Sequence, residues 1–298
     1  MTPREQAQKL AEERELARGR RDFPRADALR DAIGKLGFDV VDTATGYMLA
    51  EQARYQIYDP RTVPDGFASS AILDASVHVL YEGHRSDLYR FLERIALSSR
   101  DFEVVVTDND SGEGDWVETL AVGKVRALHL DRKVGWGEAR NAAARTSRGA
   151  ALIFADLSVE PTGDVIGPLC DALEDSSAGI CGPWGLTTTD LREFAEAPGP
   201  DVDAIEGYLM AARREDFEAT GFDPWFRWYR HADLDLSFRI RDRGLRAVVV
   251  PVPATRHEHR GWLGVPEADR PPRSKRNFYR FLDHWKDRTD LLVGRRGS

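Results

Sequence analysis

From Ala75 onward the chain alternates short apolar runs with amphipathic stretches: "SVHVLY", "SDLYRFLERIAL", "EVVVT", "RALHL", "GEARNAAARTS" and "AALIFA" follow in close succession. Runs this short and apolar suit strands buried on both faces, and the helical stretches between them supply the crossovers that parallel strands require. The alternation predicts an α/β fold, a mostly parallel sheet flanked by helices. Later strands are expected at "AGICG", "GYLMAA" and "RAVVVP", and later helices at "REDFEAT", "ADLDLSFRIRDRG" and "SKRNFYRFLDHWKDR".

The first part of the chain has a different pattern. Charge and helix formers dominate it, and Asp22-Phe23-Pro24 has the form of an N-cap with proline entering the first turn of a helix through "RADALRDAIGKL". "FDVVDT" and "GYMLAE" then form a hairpin joined through Ala44-Thr45-Gly46. This predicts a small helix-plus-hairpin module over residues 1–52, a linker or strap over 53–74 containing Pro60, Pro64 and Gly66, and an α/β domain over 75–298.

Composition narrows the function classes. A net charge of −8 argues against a general affinity for polyanions. The two cysteines, Cys170 and Cys181, have no zinc-type spacing and form no disulfide framework, which suits a reducing cytoplasm. The N-terminal sequence lacks an apolar signal core, and no stretch reaches the ~20 apolar residues of a membrane span. A cytoplasmic protein is expected.

In an open α/β sheet, ligands bind beyond the carboxyl ends of the strands, so the residues that follow each strand carry the chemistry. After "EVVVT" comes Asp108-Asn109-Asp110-Ser111-Gly112, either an Asx-type turn or a set of hydrogen-bond acceptors for a ligand. After "RALHL" comes Asp131-Arg132-Lys133-Val134-Gly135-Trp136-Gly137, a cationic turn that opens a helix carrying Arg140 and Asn141. Glycines there allow close backbone approach, and a helix N-terminus with arginine favours phosphate. After "AALIFA" comes Asp156, and "FDPWFRWYRH" supplies Trp225, Trp228 and Tyr229, rings able to stack on a sugar or to pack in a core.

Taken in order, "EVVVTDNDSGEGD", "GWGEARNAAARTSRGAALIFADLSVEP", "GYLMAARREDFEATGFDPWF", "ADLDLSFRIRDRG" and "VVVPVPATRHEHRG" resemble the family 2 glycosyltransferases with the GT-A fold, over roughly Ala75 to Arg288. The resemblance implies transfer of a sugar from a nucleotide-diphosphate donor (UDP-, GDP- or dTDP-linked) to an acceptor nucleophile, with inversion and a divalent cation, Mn or Mg. Carried onto this chain, it implies that Asp108 meets the donor base, that Arg140 lies near the diphosphate and that Asp156 holds the cation. It makes Asp233 the catalytic base, and Trp228 and Tyr229 fall on the acceptor side.

Two departures stand beside these matches. Ser158 occupies the place of the metal motif's last aspartate, and Ala232 that of the glutamate before Asp233. One carboxylate implies a weakly bound cation, helped by a histidine from "RHEHRG". One of the two, His257 or His259, is expected to face the site. With no carboxylate beside it, Asp233 is expected to be ionised at neutral pH, and Asp235 is expected to pair with Arg239 four residues on. The alternative is a degenerate, non-catalytic nucleotide-sugar-binding or adaptor protein on the same fold.

"ARGRRDFPRADALRDAIGKLGFDVVDTATGYML" is similar to the small C-terminal region of cysteinyl-tRNA synthetases. It includes no synthetase catalytic motif. Nine Lys/Arg against seven Asp/Glu between Arg4 and Lys35 make only a faint basic bias and no nucleic-acid footprint, so a helical cap or partner-docking module is the expectation, with contact to protein or RNA the weaker alternative.

Overall fold

A computed structural model of the chain describes residues 1–43 and 46–295. The chain divides into two compact units, Met1–Gln56 and Ile57–Ser298.

The first unit is a helical pair with a hairpin. Helix α1 (Pro3–Gly19) starts with a capping box: the Glu5 amide donates to the Thr2 hydroxyl, and the Thr2 amide donates to the Glu5 carboxylate. Helix α2 (Phe23–Lys35) is capped by Asp22, with Pro24 in its first turn. Strands β1 (Phe38–Thr43) and β2 (Gly46–Glu51) pair antiparallel; Ala44 and Thr45, expected in their turn, lie outside the described residues. Ala7, Ala11, Ile33, Phe38 and Val40 form its core. Arg14 and Arg18 clasp Asp42, and hydrogen bonds from these two hold its carboxyl down at about 2.

The second unit begins with β3 (Ile57–Tyr58), then β4 (Leu73–Tyr81), α3 (Arg85–Ile95), β5 (Phe102–Asp108), α4 (Gly114–Glu118), β6 (Val125–Leu130), α5 (Trp136–Arg145), β7 (Gly149–Ala155), β8 (Val159–Pro161), α6 (Ile166–Leu173) and β9 (Ala178–Gly182). Short strands β10 (Gly185–Thr187), β11 (Ala195–Ala197), β12 (Asp201–Val202) and β13 (Ala204–Ile205) lead to β14 (Leu209–Arg213), α7 (Arg214–Thr220), α8 (Ala232–Asp242), β15 (Arg246–Val249), β16 (Ala254–Arg256), α9 (Arg260–Leu263) and α10 (Arg270–Trp285). The main sheet runs β12-β15-β9-β14-β7-β4-β5-β6-β3. It is mostly parallel, with β14 antiparallel to both its neighbours and β12 antiparallel to β15. Side chains of β4, β5 and β7 are buried nearly throughout, as the unbroken apolar runs require. Within the stretch expected as a linker or strap, residues from Ile57 on belong to the second unit, the strap alternative: β3 adds a parallel edge strand to β6, and Arg214 donates to the carbonyls of Gly66 and Ser69.

The carboxyl ends of β4, β5 and β7 bring Glu82, Asp108 and Asp156 to one rim of the sheet. The β16 strand pairs with β8, with Arg256 opposite Val159, and the His257 amide donates to the Ser158 carbonyl. That register sets the direction of each histidine that follows.

Candidate active site

Asp156 follows β7 directly, and the Asp156 amide donates to the Tyr208 carbonyl just before β14. One carboxylate oxygen, Oδ1, accepts from the Ser158 amide at 2.9 Å and from the Ser158 hydroxyl. The other, Oδ2, faces His259 Nε2 at 3.4 Å, and that nitrogen is buried without a hydrogen-bond partner. An orphaned buried nitrogen beside a carboxylate oxygen is a place where a missing group fits. Burial pushes the Asp156 carboxyl up, but His259, the Ser158 hydrogen bonds and Arg140 together outweigh it and hold the group below its usual value. Burial also lowers the His259 imidazole, against the pull of Asp156, so the ring stays neutral.

The two histidines part company. His257 is half exposed and its Nε2 lies 3.2 Å from Glu160 on the outer side of the β8–β16 pair. His259 is 3% exposed and points inward; residues i and i+2 of an extended segment share a face, and the bend at Glu258 turns His259 away from the side of His257. Its ring stacks on Tyr229 at 3.6 Å and meets Tyr208 edge-on at 5.1 Å.

Two cavities meet at this ring pair. The first, about 300 Å³, is lined by Asp156, Trp136, Lys133, Arg227, Arg260 and Arg273 among others. The second, about 370 Å³, is lined by Asp233, Tyr208, Glu206, Arg192, Arg230 and His231 among others. Tyr229 and His259 belong to both. Asp233 lies in the first turn of α8, where Oδ2 accepts from the Gly207 amide at 2.8 Å and Oδ1 from the Leu234 amide at 3.0 Å. A side chain on residue 207 would press on Asp233, since a Cβ there lies 3.1 Å from the Asp233 Cβ. The loop Gly207-Tyr208 thus holds the Asp233 carboxylate at one residue and the Asp156 backbone at the next.

Several expectations are corrected by the placement of the side chains. Burial raises the Asp233 carboxyl despite its backbone donors, a cause that the expectation of an ionised group, argued from neighbouring charge alone, left out. Arg140 does not line the first cavity. Its guanidinium is buried and donates to the carbonyls of His78 and Ala155 at 2.9 and 3.0 Å, bracing β4 to β7. The glycine turn before α5 does not leave its first amides open for phosphate: the Trp136 and Gly137 amides donate to the carbonyls of Arg227 and Phe226. Asp108 ends β5 with its carboxylate engaged by His129 Nδ1 at 3.0 Å and by the Ser111 amide at 2.9 Å, the Asx-turn alternative. Trp228 is buried, stacked on Trp262 with its Nε1 donating to the Gly261 carbonyl, whereas Trp225 is exposed beneath Arg280.

Asp235 pairs with Arg239 at 2.5 Å and also accepts from His284 Nδ1 and Trp285 Nε1, both at 2.9 Å. Asp223, Asp235 and His284 are close enough to suggest a metal cluster. Arg280 and Arg239 already sit on these carboxylates, so the charge there is compensated and the cluster ties α8 to α10. Sequence reasoning passed over Ser158 as a clamp, Gly207 and Tyr208 as a bridge, and Arg192 and Arg230. Gly207 and Tyr208 have no local signal, because they act on residues far along the chain; Ser158 acts on Asp156 two residues away, but a serine there reads as a lost ligand rather than as a donor.

A model described as glycosyl transferase family 2 matches residues 77–237, over half of the chain. A curated relative, the putative inactive polypeptide N-acetylgalactosaminyltransferase 12 of Drosophila melanogaster, is 27% identical over 223 residues, 62% of this chain and 38% of that protein. Among solved structures, GalNAc-T7 with UDP, GalNAc and Mn²⁺ superposes with a TM-score of 0.57 at 19% identity, covering 73% of this chain and 50% of the other. The mannosyltransferase PcManGT from Pyrobaculum calidifontis, with GDP-Man and Mn²⁺, gives a TM-score of 0.47 at 19% identity, covering 78% and 74%. The match spans well under two thirds of the curated relative's length, and at 19% identity the likeness to GalNAc-T7 is one of fold.

Proposed function

Since the chain belongs to glycosyl transferase family 2, we propose that it moves a sugar from a nucleoside-diphosphate donor to an acceptor hydroxyl, with inversion at the anomeric carbon. The observation that carries this reading is the pair of cavities that share the Tyr229–His259 wall, one holding Asp156 and the other Asp233. A donor in the first cavity and an acceptor in the second would meet at that wall.

Asp156 Oδ2 and His259 Nε2 are the atoms that would hold a divalent cation, since a carboxylate oxygen and a neutral imidazole nitrogen suit Mn²⁺ and Mg²⁺. When bound, the cation would offset the negative charge that grows on the departing nucleoside diphosphate. Coordination through Nε2 requires the ring proton on Nδ1, where the Gly261 amide now donates at 3.0 Å; that contact has to open first. Lys133, Arg227, Arg260 and Arg273 give the first cavity a cationic lining in a chain whose net charge is −8, which favours a diphosphate.

In the transfer step the acceptor oxygen bonds to the anomeric carbon, the carbon–oxygen bond to the diphosphate breaks, and the hydroxyl proton passes to the Asp233 carboxylate. The amides of Gly207 and Leu234 fix which lone pairs of that carboxylate face the cavity. Asp233→Asn keeps these contacts in part and removes the base, so transfer should fall by ~10²–10⁴-fold with donor affinity nearly intact. Radiolabelled-sugar transfer beside donor titration measures both; undiminished transfer would sink the assignment.

A second reading has its own support. Ser158 and Ala232 replace two acidic residues of the motif, and the Ser158 hydroxyl takes up one oxygen of Asp156, as in a protein that binds a nucleotide-sugar without turning it over. Donor hydrolysis or transfer by the wild-type chain separates the two. The N-terminal unit enters neither reading as chemistry; its near-balanced charge favours a protein partner over RNA.

A further inference from the structure

The second cavity holds an imbalance of charge. Its two carboxylates are Glu206 and Asp233, and Glu206 is in contact with Arg256, whose guanidinium lies over the rings of Trp184 and Tyr208. The same cavity is lined by Arg192 and Arg230. Among the described residues neither arginine is in an ion pair, whereas Arg256 and Arg260 nearby are. Arg230 lies over the Trp262 ring at 5.2 Å, and its charge reaches Asp233, His259 and Tyr229. Arg192 is exposed at the tip of a turn that is fixed on every side. Leu191 is fully buried with φ 65°, its amide donates to Thr188 Oγ1 at 2.9 Å, and Asp190 Oδ1 accepts from the amides of Arg192 and Glu193. Thr188 is in turn tied by its amide to buried Asp203 at 2.8 Å. A left-handed leucine persists only where its surroundings over-determine it, and the residue that this turn presents to the cavity is a cation.

Resting on the transferase reading of this cavity, we propose that the acceptor is a hydroxyl compound bearing an oxyanion, a carboxylate or a phosphate monoester, which Arg192 and Arg230 bind while its hydroxyl lies against Asp233. Guanidinium groups recognise both oxyanions through paired N–H donors. The polar cavity with aromatic walls is too small for a polymer to enter, so the anion and the hydroxyl belong to one small molecule or to the terminus of a larger one. Occupancy of Arg230 by an anion also withdraws a positive charge from beside Asp233, which makes that carboxylate a stronger base.

The test uses the full chain without any donor. Binding of glycerol, D-glycerate and glycerol 3-phosphate is measured by titration calorimetry for the wild type and for Arg192→Gln, Arg230→Gln and Arg273→Gln. The expected result is that at least one anion binds where glycerol does not, and that its affinity falls by about 10- to 100-fold in R192Q and in R230Q, the loss of a charge-assisted hydrogen bond. R273Q, whose change is in the first cavity, should leave it unaltered. The stronger of the two anions identifies carboxylate or phosphate as the group recognised. Equal binding of glycerol, no anion binding, or anion binding lost in R273Q and kept in R192Q would each overturn the proposal. Absence of nucleotide-sugar binding in a parallel titration, with Arg192-dependent anion binding intact, would remove the transferase reading and leave the anion site standing.

Discussion

Ser158 shows how one side chain can change the character of a candidate metal site without emptying it. Its hydroxyl and amide hold one oxygen of Asp156, leaving a single oxygen directed at His259. We therefore expect Asp156→Ala and His259→Ala to abolish Mn²⁺-dependent donor binding, Ser158→Ala to weaken Mn²⁺ by about 10- to 100-fold through loss of an outer support, and His257→Ala to have little effect. Calorimetric titration of Mn²⁺ with donor present decides it, and equal losses in His257→Ala and His259→Ala would contradict the assignment. Acidity gives a second check at this scale. A general base works only when ionised, and burial raises the Asp233 carboxyl, so kcat/KM should fall with decreasing pH along a limb centred above the ordinary aspartate value of about 3.9. A limb at or below that value would mean that the base is some other group. Asp156, Asp233 and the histidine pair His257 and His259 could be singled out in the sequence because motif order and strand–helix alternation are local properties, whereas the choice of His259 rests on the structure. The clamp at Ser158 was not legible, because a serine two residues from Asp156 reads as a missing carboxylate rather than as a donor; nor were the cations at Arg192 and Arg230, because the cavity they line is assembled from distant elements.

The first turn of α5 shows why the right elements can carry the wrong inference. Glycines at 135 and 137 before a helix suggested backbone amides open to a phosphate. Instead the 222–227 loop packs across that turn, and a Cβ on residue 137 would lie 2.8 Å from the Asp223 carbonyl oxygen. Gly137→Ala should accordingly cost about 1–3 kcal/mol, the scale of overpacking in a tight contact. Urea unfolding of the variant measures it, and an unchanged midpoint would show that the loop yields freely. The strand and helix succession was readable because buried parallel strands are apolar throughout and the helices between them keep a 3.6-residue period. The direction of β14 was not readable: an apolar run reports burial on both faces, and that is the same for a strand running either way. The stretch 53–74 left linker and strap open for a related reason: proline and glycine mark the absence of regular structure, and only the carbonyls that buried Arg214 grips make the segment a strap.

Across the whole molecule, the sheet supplies a rim and the later segments supply the walls. Residues from the loop after β13, the first turn of α8 and the segment after β16 converge on the carboxyl ends of β4 and β7, so the two cavities are assembled from parts of the chain separated by more than a hundred positions. No helix among the described residues is long and apolar enough to cross a membrane. The stacked rings of Tyr229 and His259 are the boundary between the cavities, and this has a bearing on fidelity. Water is the most abundant competitor for an activated sugar, and a thin aromatic partition next to the reacting carbon decides whether it gains entry. Tyr229→Ala should merge the two chambers and divert the donor from productive transfer to futile hydrolysis, raising the ratio of free sugar to glycosylated product even where total donor consumption is preserved. Product analysis by chromatography reads that ratio directly, and an unaltered ratio would place the gate against water elsewhere. On this view, a single ring-on-ring contact governs how much of each activated sugar is wasted.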